Sequence, residues 1–587
     1  MSDTFTNLVE LAKRSTTRYA DRELFGTKTD GQWRWMTYGE FGKLVDQFRG
    51  ALASLGVGAG DKVGIIANNR VEWAVAAYAT YGLGAAFVPM YEAQLPKEWK
   101  FILDDCGAKV AIGATAAIYD KLGQLKSEVP SLEHVVGLDL PADNPDSYKA
   151  LLEKGKKNPV DAKEPERKDT AGFIYTSGTT GNPKGVILSH GNITSNINAI
   201  HDIFTFESDD RSLSFLPWAH SFGQTCELHA LLSMGCSLAI NDEVANLVAN
   251  LAEVRPSILF AVPRIFNRIY EGVNKQMADK PGMIQKLFQS GIKNATREHG
   301  GGGVGVMGGI GLTLADKLIF SKIRDKFGGR LKYAISGSAA LSKEVAEFID
   351  ALGIEVYEGY GLTETSPIAT ANYPGNRKIG SVGKAIPEVK IKIDKEVTAD
   401  PKNGEILIYG PNIMQGYHNR AEENDKVLMA DGGFRSGDMG YLDDDGYLYI
   451  TGRIKEQYKL ENGKYVVPAP LEEDLKLSPF VANVMIHGAN KPYNVALVVL
   501  DVDSVRKWAS DNGIEVADLT TNDKVRELVK KELADRGREF KGFERPQKFM
   551  LISDDFTTEN GMLTPTLKLK RRNVLAKYEA DLDALYK

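Results

Sequence analysis

The sequence predicts an α/β chain: a large, multi-subdomain N-terminal domain of mixed sheets and helices, followed by a small α+β domain. Three observations predict it. The first 150 residues alternate helical patterns with short apolar runs such as "KVGIIA" (62–67) and "KVAIG" (109–113), the rhythm of strands set between helices. From Gly404 the composition shifts to short β segments with Gly and Asp turns, "GEILIYG" and "DDDGYLYITGR". From about Lys455 strands such as "YNVALVVLD" (493–501) mix with charged helical runs such as "DKVRELVKKELADRGREF" (523–540).

The stretch "WAVAAYATYGLGAAFVPM" (73–90) carries no charge over 18 residues. It is Ala-rich with two Gly and a Pro, so its transfer to lipid is only modestly favourable. It reads as a buried helix, a turn at Gly82 or Gly84, and a core strand. The charged connector "EKGKKNPVDAKEPERKD" (153–169) reads as an exposed loop. Core strands follow at "AGFIY" (171–175), "SILFAVP" (257–263), "LKYAIS" (331–336) and "IEVYEGY" (354–360). Gly303, Gly305 and Gly308 spell GxGxxG, but that fingerprint carries meaning only between a strand and a helix. A polar, helix-like run precedes it here, so a flexible surface loop is expected.

A chain of 587 residues with 43% hydrophobic and 26% charged residues fits an ordinary globular protein of more than one domain. Its net charge of -6 argues against nucleic acid as a partner. Cys106, Cys226 and Cys236 are too few and too scattered for a disulfide framework or a zinc site, which suits a reducing compartment. The start, "MSDTFTNLVELAKRS", shows no signal peptide pattern.

The chemistry concentrates in four stretches. "TSGTTGNPKG" (176–185) resembles a phosphate loop but not a Walker loop, because Gly185 follows Lys184 instead of preceding it. Placed after a strand and before a helix, its backbone N–H groups can converge on an anion. Its Gly residues permit close approach. The hydroxyls of Thr176, Ser177, Thr179 and Thr180 add donors and Lys184 adds charge. Taken alone, such a loop is as readily a solvated turn. In "YEGYGLTETSP" (357–367), Tyr360 offers a flat face for a base. Glu364 suits Mg²⁺, which takes one or two protein oxygens besides phosphate and water. Asp438, in a Gly turn, suits a pair of ribose hydroxyls, whereas the three Asp at 443–445 read as a turn. Lys568 stands in the loop-like "LTPTLKLKRRN" (563–573).

Together these motifs resemble the AMP-forming acyl-CoA synthetases of the adenylate-forming superfamily, which includes firefly luciferase and peptide-synthetase adenylation domains. The resemblance spans essentially the whole chain. Within it the chain is most similar to the long-chain fatty acid CoA ligases, through "KEQYKLENGKYVVPAPLEE" (455–473), "LADKLIFSKIRDKFGGRLKYAISGSAAL" (314–341) and the "LTPTLKLKR" ending. It implies an adenylate-forming domain over 1–453, a hinge at 454–456 around Lys455, and a mobile lid over 457–587 carrying Lys568. It implies ATP, Mg²⁺ and CoA, with a fatty acid as acyl substrate. Thr176 and Glu364 would help bind Mg²⁺, and Ser177, Gly178, Thr179, Thr180, Gly181 and Lys184 would wrap the β- and γ-phosphates. Ser338, Ala339, Glu358, Gly359, Tyr360 and Gly361 would bracket adenine. Thr363 would reach the α-phosphate, and Asp438 with Arg453 would hold ribose. Lys568, His220, Thr179 and Glu364 would act in catalysis. Lys459 and Gly463 would approach when the lid rotates. His220, in "LPWAHSFG", matches the family His near the acyl carboxylate; the lesser alternative is a packed, hydrogen-bonded core histidine.

A fatty carboxylate has an ordinary pKa of about 4 to 5, so it is already ionised near pH 7 and needs no general base. Attack on the α-phosphate needs alignment and charge neutralisation instead. Two departures stand out. Ser336-Gly337-Ser338-Ala339-Ala340-Leu341 replaces the common S-G-G-A-P-L, which leaves the depth of the acyl pocket open, and Leu567-Lys568 replaces the widespread Gly-Lys pair. The alternatives are another carboxylate or acceptor (a medium-chain or aryl acid, a carrier protein, oxygen) and a non-catalytic acyl or nucleotide binder or fatty-acid uptake component. A cytoplasmic location is expected, with peripheral contact at the inner membrane face and a homodimer as further options.

Overall fold

A computed structural model of the chain describes residues 4–176, 182–397, 402–564 and 567–587. Two large sheets carry the N-terminal part. In the seven-stranded sheet the order runs Gly416–Tyr417, Lys184–Ser189, Thr170–Thr176, Ala86–Met90, Lys62–Ile66, Val110–Gly113, His134–Gly137. From Ala86–Met90 outwards to His134–Gly137 the pairing is parallel, as helix-linked strands require. The nine-stranded sheet centres on parallel strands Ser237–Ile240, Arg211–Ser214, Ile258–Ala261, Tyr333–Ser336 and Val356–Gly361. Antiparallel strands close both of its edges.

The uncharged stretch at 73–90 lies where these sheets meet. Helix Val71–Tyr81 is buried from Trp73 through Tyr81, Gly84 turns the chain at φ +69°, and every residue of strand Ala86–Met90 is buried. Trp73 packs edge-on against Phe87 and Trp218. Each such side chain, fully buried, contributes about 1.5–3 kcal/mol. Among the described residues no helix is long and apolar enough to cross a membrane.

A four-stranded antiparallel sheet follows, ordered Lys390–Asp394, Gly404–Tyr409, Phe434–Leu442, Leu448–Arg453. The short 3₁₀ turn Ile454–Glu456 leads out of it to a hairpin, Tyr458–Lys459 with Tyr465–Val466. The last sheet, Val481–His487, Asn494–Leu500 and Pro546–Ile552, has buried clusters on both faces, around Val498 on one and Leu497 on the other. This mixed architecture is the α/β organisation expected.

Three local expectations need correction. The loop after Thr176 does not lead into a helix. Lys184–Ser189 returns as a strand antiparallel to Thr170–Thr176, and the helix begins only at His190, capped by Ser189 and Asn192. The apolar, β-branched "GVILS" run is used as a strand, and the helix starts only after it. Residues 153–157 belong to helix Tyr148–Lys157, so the exposed connector starts at Asn158. The Gly-rich patch is not a loop throughout: Gly305–Ala315 is helical, held to the preceding helix Gly282–His299 where Asn294 donates to the Gly308 carbonyl at 3.3 Å. Tertiary packing overrides the poor helix propensity of glycine. Because a helix and not a strand precedes Gly303, the dinucleotide reading fails as expected.

Candidate active site

Strand pairing builds the centre of the site. Asp438 and Arg453 are register partners on antiparallel strands Phe434–Leu442 and Leu448–Arg453. The Arg453 Nε lies 3.0 Å from Asp438 Oδ1, and the Tyr360 hydroxyl donates to Asp438 Oδ2 at 2.8 Å. Asp438 is buried, and its own N–H donates to Ser436 Oγ at 3.0 Å. Burial raises its carboxyl above the ordinary value, against the pull of Arg453, Tyr360 and Lys568. The nearby Asp438 charge raises the Arg453 guanidinium in turn. Each carboxylate oxygen keeps a second lone pair for an incoming diol.

Tyr360 comes from strand Val356–Gly361, which presents Glu358, Gly359, Tyr360 and Gly361 in sequence. Any side chain at Gly361 would collide with the Pro367 carbonyl, a Cβ falling 1.7 Å from it. Glu358 is buried, and burial pushes its carboxyl up to about 8. Thr363 and Glu364 lie in the 3₁₀ turn Thr363–Thr365 directly after this strand. Thr363 Oγ1 sits 3.4 Å from Ser221 Oγ, next to His220.

Glu364 is held by a residue that the motif reading missed. The Tyr417 hydroxyl donates to Glu364 Oε1 at 2.7 Å. Lys184 Nζ lies 5.0 Å from the centre of the same Tyr417 ring and is hydrogen-bonded to Glu423. The Lys184 bond, helped by Lys426, holds Glu423 down to about 2. Thr176 and Lys184 are cross-strand partners, so both ends of the loop are anchored beside Tyr417. Ser177, Gly178, Thr179, Thr180 and Gly181 lie outside the described residues. Tyr417 and Glu423 carry no motif; only their place in the fold reveals them.

Lys568 enters this centre from the far end of the chain. Its N–H donates to Thr564 Oγ1 at 3.0 Å and its carbonyl accepts from the Thr564 N–H at 2.8 Å. The side chain stays open to solvent while protein crowds around it from both halves of the chain. That crowding, then the Arg453 charge, lowers the ammonium below its ordinary value; Asp438, Glu364 and Glu456 favour its charged form. His220 is on the same site: burial, then the Lys568 cation, bring its imidazole down to about 3. Its Nδ1 accepts from the Phe222 N–H at 3.2 Å, which leaves Nε2 to carry the proton of the neutral ring.

Of the residues that depart from the family patterns, Ser338, Ala340 and Leu567, both Ser338 and Leu567 take left-handed backbone, with φ +71° and +61°. Glycine adopts that conformation without penalty, so the backbone keeps a glycine-like path under a different side chain. Ala339 is exposed beside half-buried Ser338, and the Phe222 ring closes over Gly337. The structure therefore brings Lys568, His220, Glu364, Thr363, Tyr360, Asp438 and Arg453 together. It leaves Lys459 and Gly463 apart: they lie on the small hairpin, where Lys459 packs over Tyr465, and none of their described contacts reaches Asp438. Lys455 is exposed in the turn Ile454–Glu456.

Among the described residues no group of three or more His, Cys, Asp or Glu is gathered to hold a metal. Mg²⁺ does not need one where phosphates supply most of its ligands. Glu364 fits that demand, since Tyr417 occupies only Oε1 in the described bonds.

The family model for AMP-binding enzymes matches residues 12–418, and that for the AMP-binding enzyme C-terminal domain matches 455–587. The chain is 32% identical to the peroxisomal long chain acyl-CoA synthetase 7 of Arabidopsis thaliana, over 100% of this chain and 86% of that protein. It is also 32% identical to the long-chain-fatty-acid–CoA ligase FadD15 of Mycobacterium bovis, over 96% of this chain and 94% of that protein. In fold it is similar to the adenylation domain of a carboxylate reductase from Mycobacterium chelonae, with a TM-score of 0.82 at 22% identity, over 100% of this chain and 92% of that one. The anthranilate CoA ligase AuaEII, in complex with anthranoyl-AMP, gives 0.76 at 21% identity over 99% of both chains. With family models matching both halves and such relatives aligned along its whole length, the chain belongs to the AMP-binding enzyme family.

Proposed function

We propose that this enzyme is a long-chain fatty acid:CoA ligase. It converts a fatty carboxylate and ATP to acyl-AMP and pyrophosphate, then passes the acyl group to CoA. The observation that carries the reading is the convergence of Lys568 with Asp438, Glu364 and His220 in a chain similar throughout to long-chain acyl-CoA synthetases.

In the first half-reaction a carboxylate oxygen bonds to the α-phosphorus, and the bond to the pyrophosphate oxygen breaks. Lys568 donates to the oxygens where negative charge gathers, and its lowered proton affinity favours sharing that proton with them. Neutral His220 donates from Nε2 to the acyl carboxylate and orients it without adding a competing cation. Thr363 binds the α-phosphate, while Asp438 with Arg453 grips the ribose and Tyr360 with Glu358 flanks adenine. The loop from Ser177 to Lys184 holds the β- and γ-phosphates. Mg²⁺ would be held by Glu364 with Thr176, and when bound it would neutralise phosphate charge. In the second half-reaction the CoA sulfur attacks the acyl carbon and AMP leaves. For that step residues 457–587 turn about 454–456, withdrawing Lys568 and bringing Lys459 and Gly463 in. We place the enzyme in the cytoplasm, in keeping with three unpaired, buried cysteines.

The test is pyrophosphate release and CoA-thioester formation with ATP and Mg²⁺, across acids from acetate to oleate and an aryl acid, with and without CoA. CoA-dependent turnover that peaks at long chains is expected. Pyrophosphate release without thioester would move the reading to another acceptor. No release with any acid would leave a binding protein.

A further inference from the structure

Helix Gly305–Ala315 continues through the wider turn Asp316–Phe320 into Ser321–Asp325. Ala315, Ile319 and Phe320 face inward, onto the cluster around Phe288. The outward face is apolar as well. Val306, Ile310, Leu314 and Leu318, spaced four apart, expose 80%, 52%, 48% and 47% of their surface, and Met307 exposes 82%. Residues spaced this way share one side of a helix, so they form a stripe of about 18 Å at a rise of 1.5 Å per residue. A helix that is apolar all round is normally buried, and an exposed stripe of this kind marks something that covers it.

Charge selects what covers it. Residues 300–315 contain no Asp, Glu, Lys or Arg. Over 282–330 there are eight Lys or Arg against three Asp or Glu, in a chain whose net charge is -6. Of the three acids, Asp316 is already paired with Arg324 at 2.7 Å. Lys317 interrupts the stripe between Leu314 and Leu318, and Lys322 stands one turn further; both are exposed and make no ion pair among the described residues. Lys286 and Lys293, on the helix packed alongside, are exposed too.

From this pairing of an uncharged apolar stripe with a cationic rim, we propose that helix 305–325 docks on an anionic lipid surface. An apolar helix face inserts at the headgroup boundary while lysines engage anionic headgroups. The assignment rests on the fatty-acid reading above for its purpose: a long-chain acid partitions into bilayers by about fourfold more per methylene, so its supply is the membrane.

The experiment is co-sedimentation of the full chain with vesicles of phosphatidylcholine alone or mixed with phosphatidylglycerol, at low and high salt. The unmodified protein should pellet with the mixed vesicles, less so at high salt, and weakly with phosphatidylcholine. Combined Ile310→Asn, Leu314→Gln and Leu318→Gln should reduce partition by about tenfold or more. Lys317→Glu with Lys322→Glu should remove the preference for anionic lipid, at about fivefold per lysine. Both variants should keep the Tm and the turnover of a water-soluble short-chain acid. No pelleting of the unmodified protein, or equal pelleting of all three, would overturn the proposal. So would a dimer in solution that the triple variant dissolves, which would make the stripe an interface between two copies. Vesicle binding is read without turnover, so a failed thioester assay would remove the fatty-acid reading and leave this one standing.

Discussion

Asp438 and Arg453 face each other across two antiparallel strands, with Arg453 Nε 3.0 Å from Asp438 Oδ1 and the Tyr360 hydroxyl on the other oxygen. Fifteen positions apart along a β hairpin, they meet because the strand register makes them partners, and the carboxylate is thereby aimed before any nucleotide arrives.

Asp438→Ala should lower kcat/KM for ATP about 10- to 100-fold, the worth of a charged hydrogen-bonding group. Arg453 is 47% exposed and can hydrate, so the Tm should change little. Tyr360→Phe should cost about fivefold, as the loss of a single hydrogen bond. Steady-state kinetics with ATP as the varied substrate, alongside a melting curve, measures both.

Tyr417→Phe leaves Glu364 without its 2.7 Å hydrogen bond while keeping the ring under Lys184. If Glu364 takes part in holding Mg²⁺, freeing it should raise the Mg²⁺ concentration for half-maximal activity about tenfold, the usual effect of removing a group that orients a ligand. A Mg²⁺ titration at saturating ATP checks this; an unchanged midpoint would release Glu364 from that role.

Ser338 and Leu567 occupy left-handed backbone, which costs a non-glycine residue roughly 1–2 kcal/mol and a β-branched one more. Ser338→Gly and Leu567→Gly should therefore keep adenylation within about threefold. Ser338→Val and Leu567→Val should each cost about tenfold or more. Acyl-AMP formation at fixed ATP distinguishes these outcomes.

Buried His190 and His229 give the stability a direction with pH. Burial lowers them to about 4 and about 3, from an ordinary 6.5. Their contribution is fully present above pH 6.5 and is lost as pH falls from 6.5 towards those values, because only the unfolded chain gains the protons. Each should cost about 2 kcal/mol between pH 6.5 and 5. Glu227, hydrogen-bonded by Ser212 and Ser214 at 2.6 and 2.7 Å, is pushed by burial to about 7, which has the opposite sign. Its contribution is present below pH 4.5 and is lost as pH rises through 7. Glu358, pushed up to about 8, acts in the sense of Glu227, and His220, brought down to about 3, acts in the sense of His190 and His229. Three histidines outweigh two carboxyls, so the urea midpoint should fall from pH 6.5 to 5, and His229→Gln should flatten that slope.

Much of this was legible from residue patterns, and the limits have physical causes. Apolar runs such as "KVGIIA" and "SILFAVP" announced buried strands because a strand in a parallel sheet must be apolar on both faces. Asp438, Glu364 and Lys568 were legible as motifs, whereas the apposition of Asp438 with Arg453 depends on register, which local pattern does not encode. "GVILS" reads equally as strand or helix over so short a span, and pairing with Thr170–Thr176 decided it. Tyr417 and Glu423 are single residues without periodicity, brought to the loop by the strand Gly416–Tyr417 and the helix after it. The Gly-rich helix was hidden because its propensity is poor and packing against the preceding helix, which local pattern does not show, holds it.

The most direct test follows Lys568→Ala through the two half-reactions separately. Adenylation, read as acyl-AMP or pyrophosphate from fatty acid and ATP, should fall about 10²- to 10³-fold, the scale of losing one well-placed donor. Thioester formation from acyl-AMP supplied ready-made with CoA should stay within a few-fold of the unmodified enzyme. An equal loss in both halves, or adenylation that survives the substitution, would contradict the assignment of Lys568 and with it the account of the site.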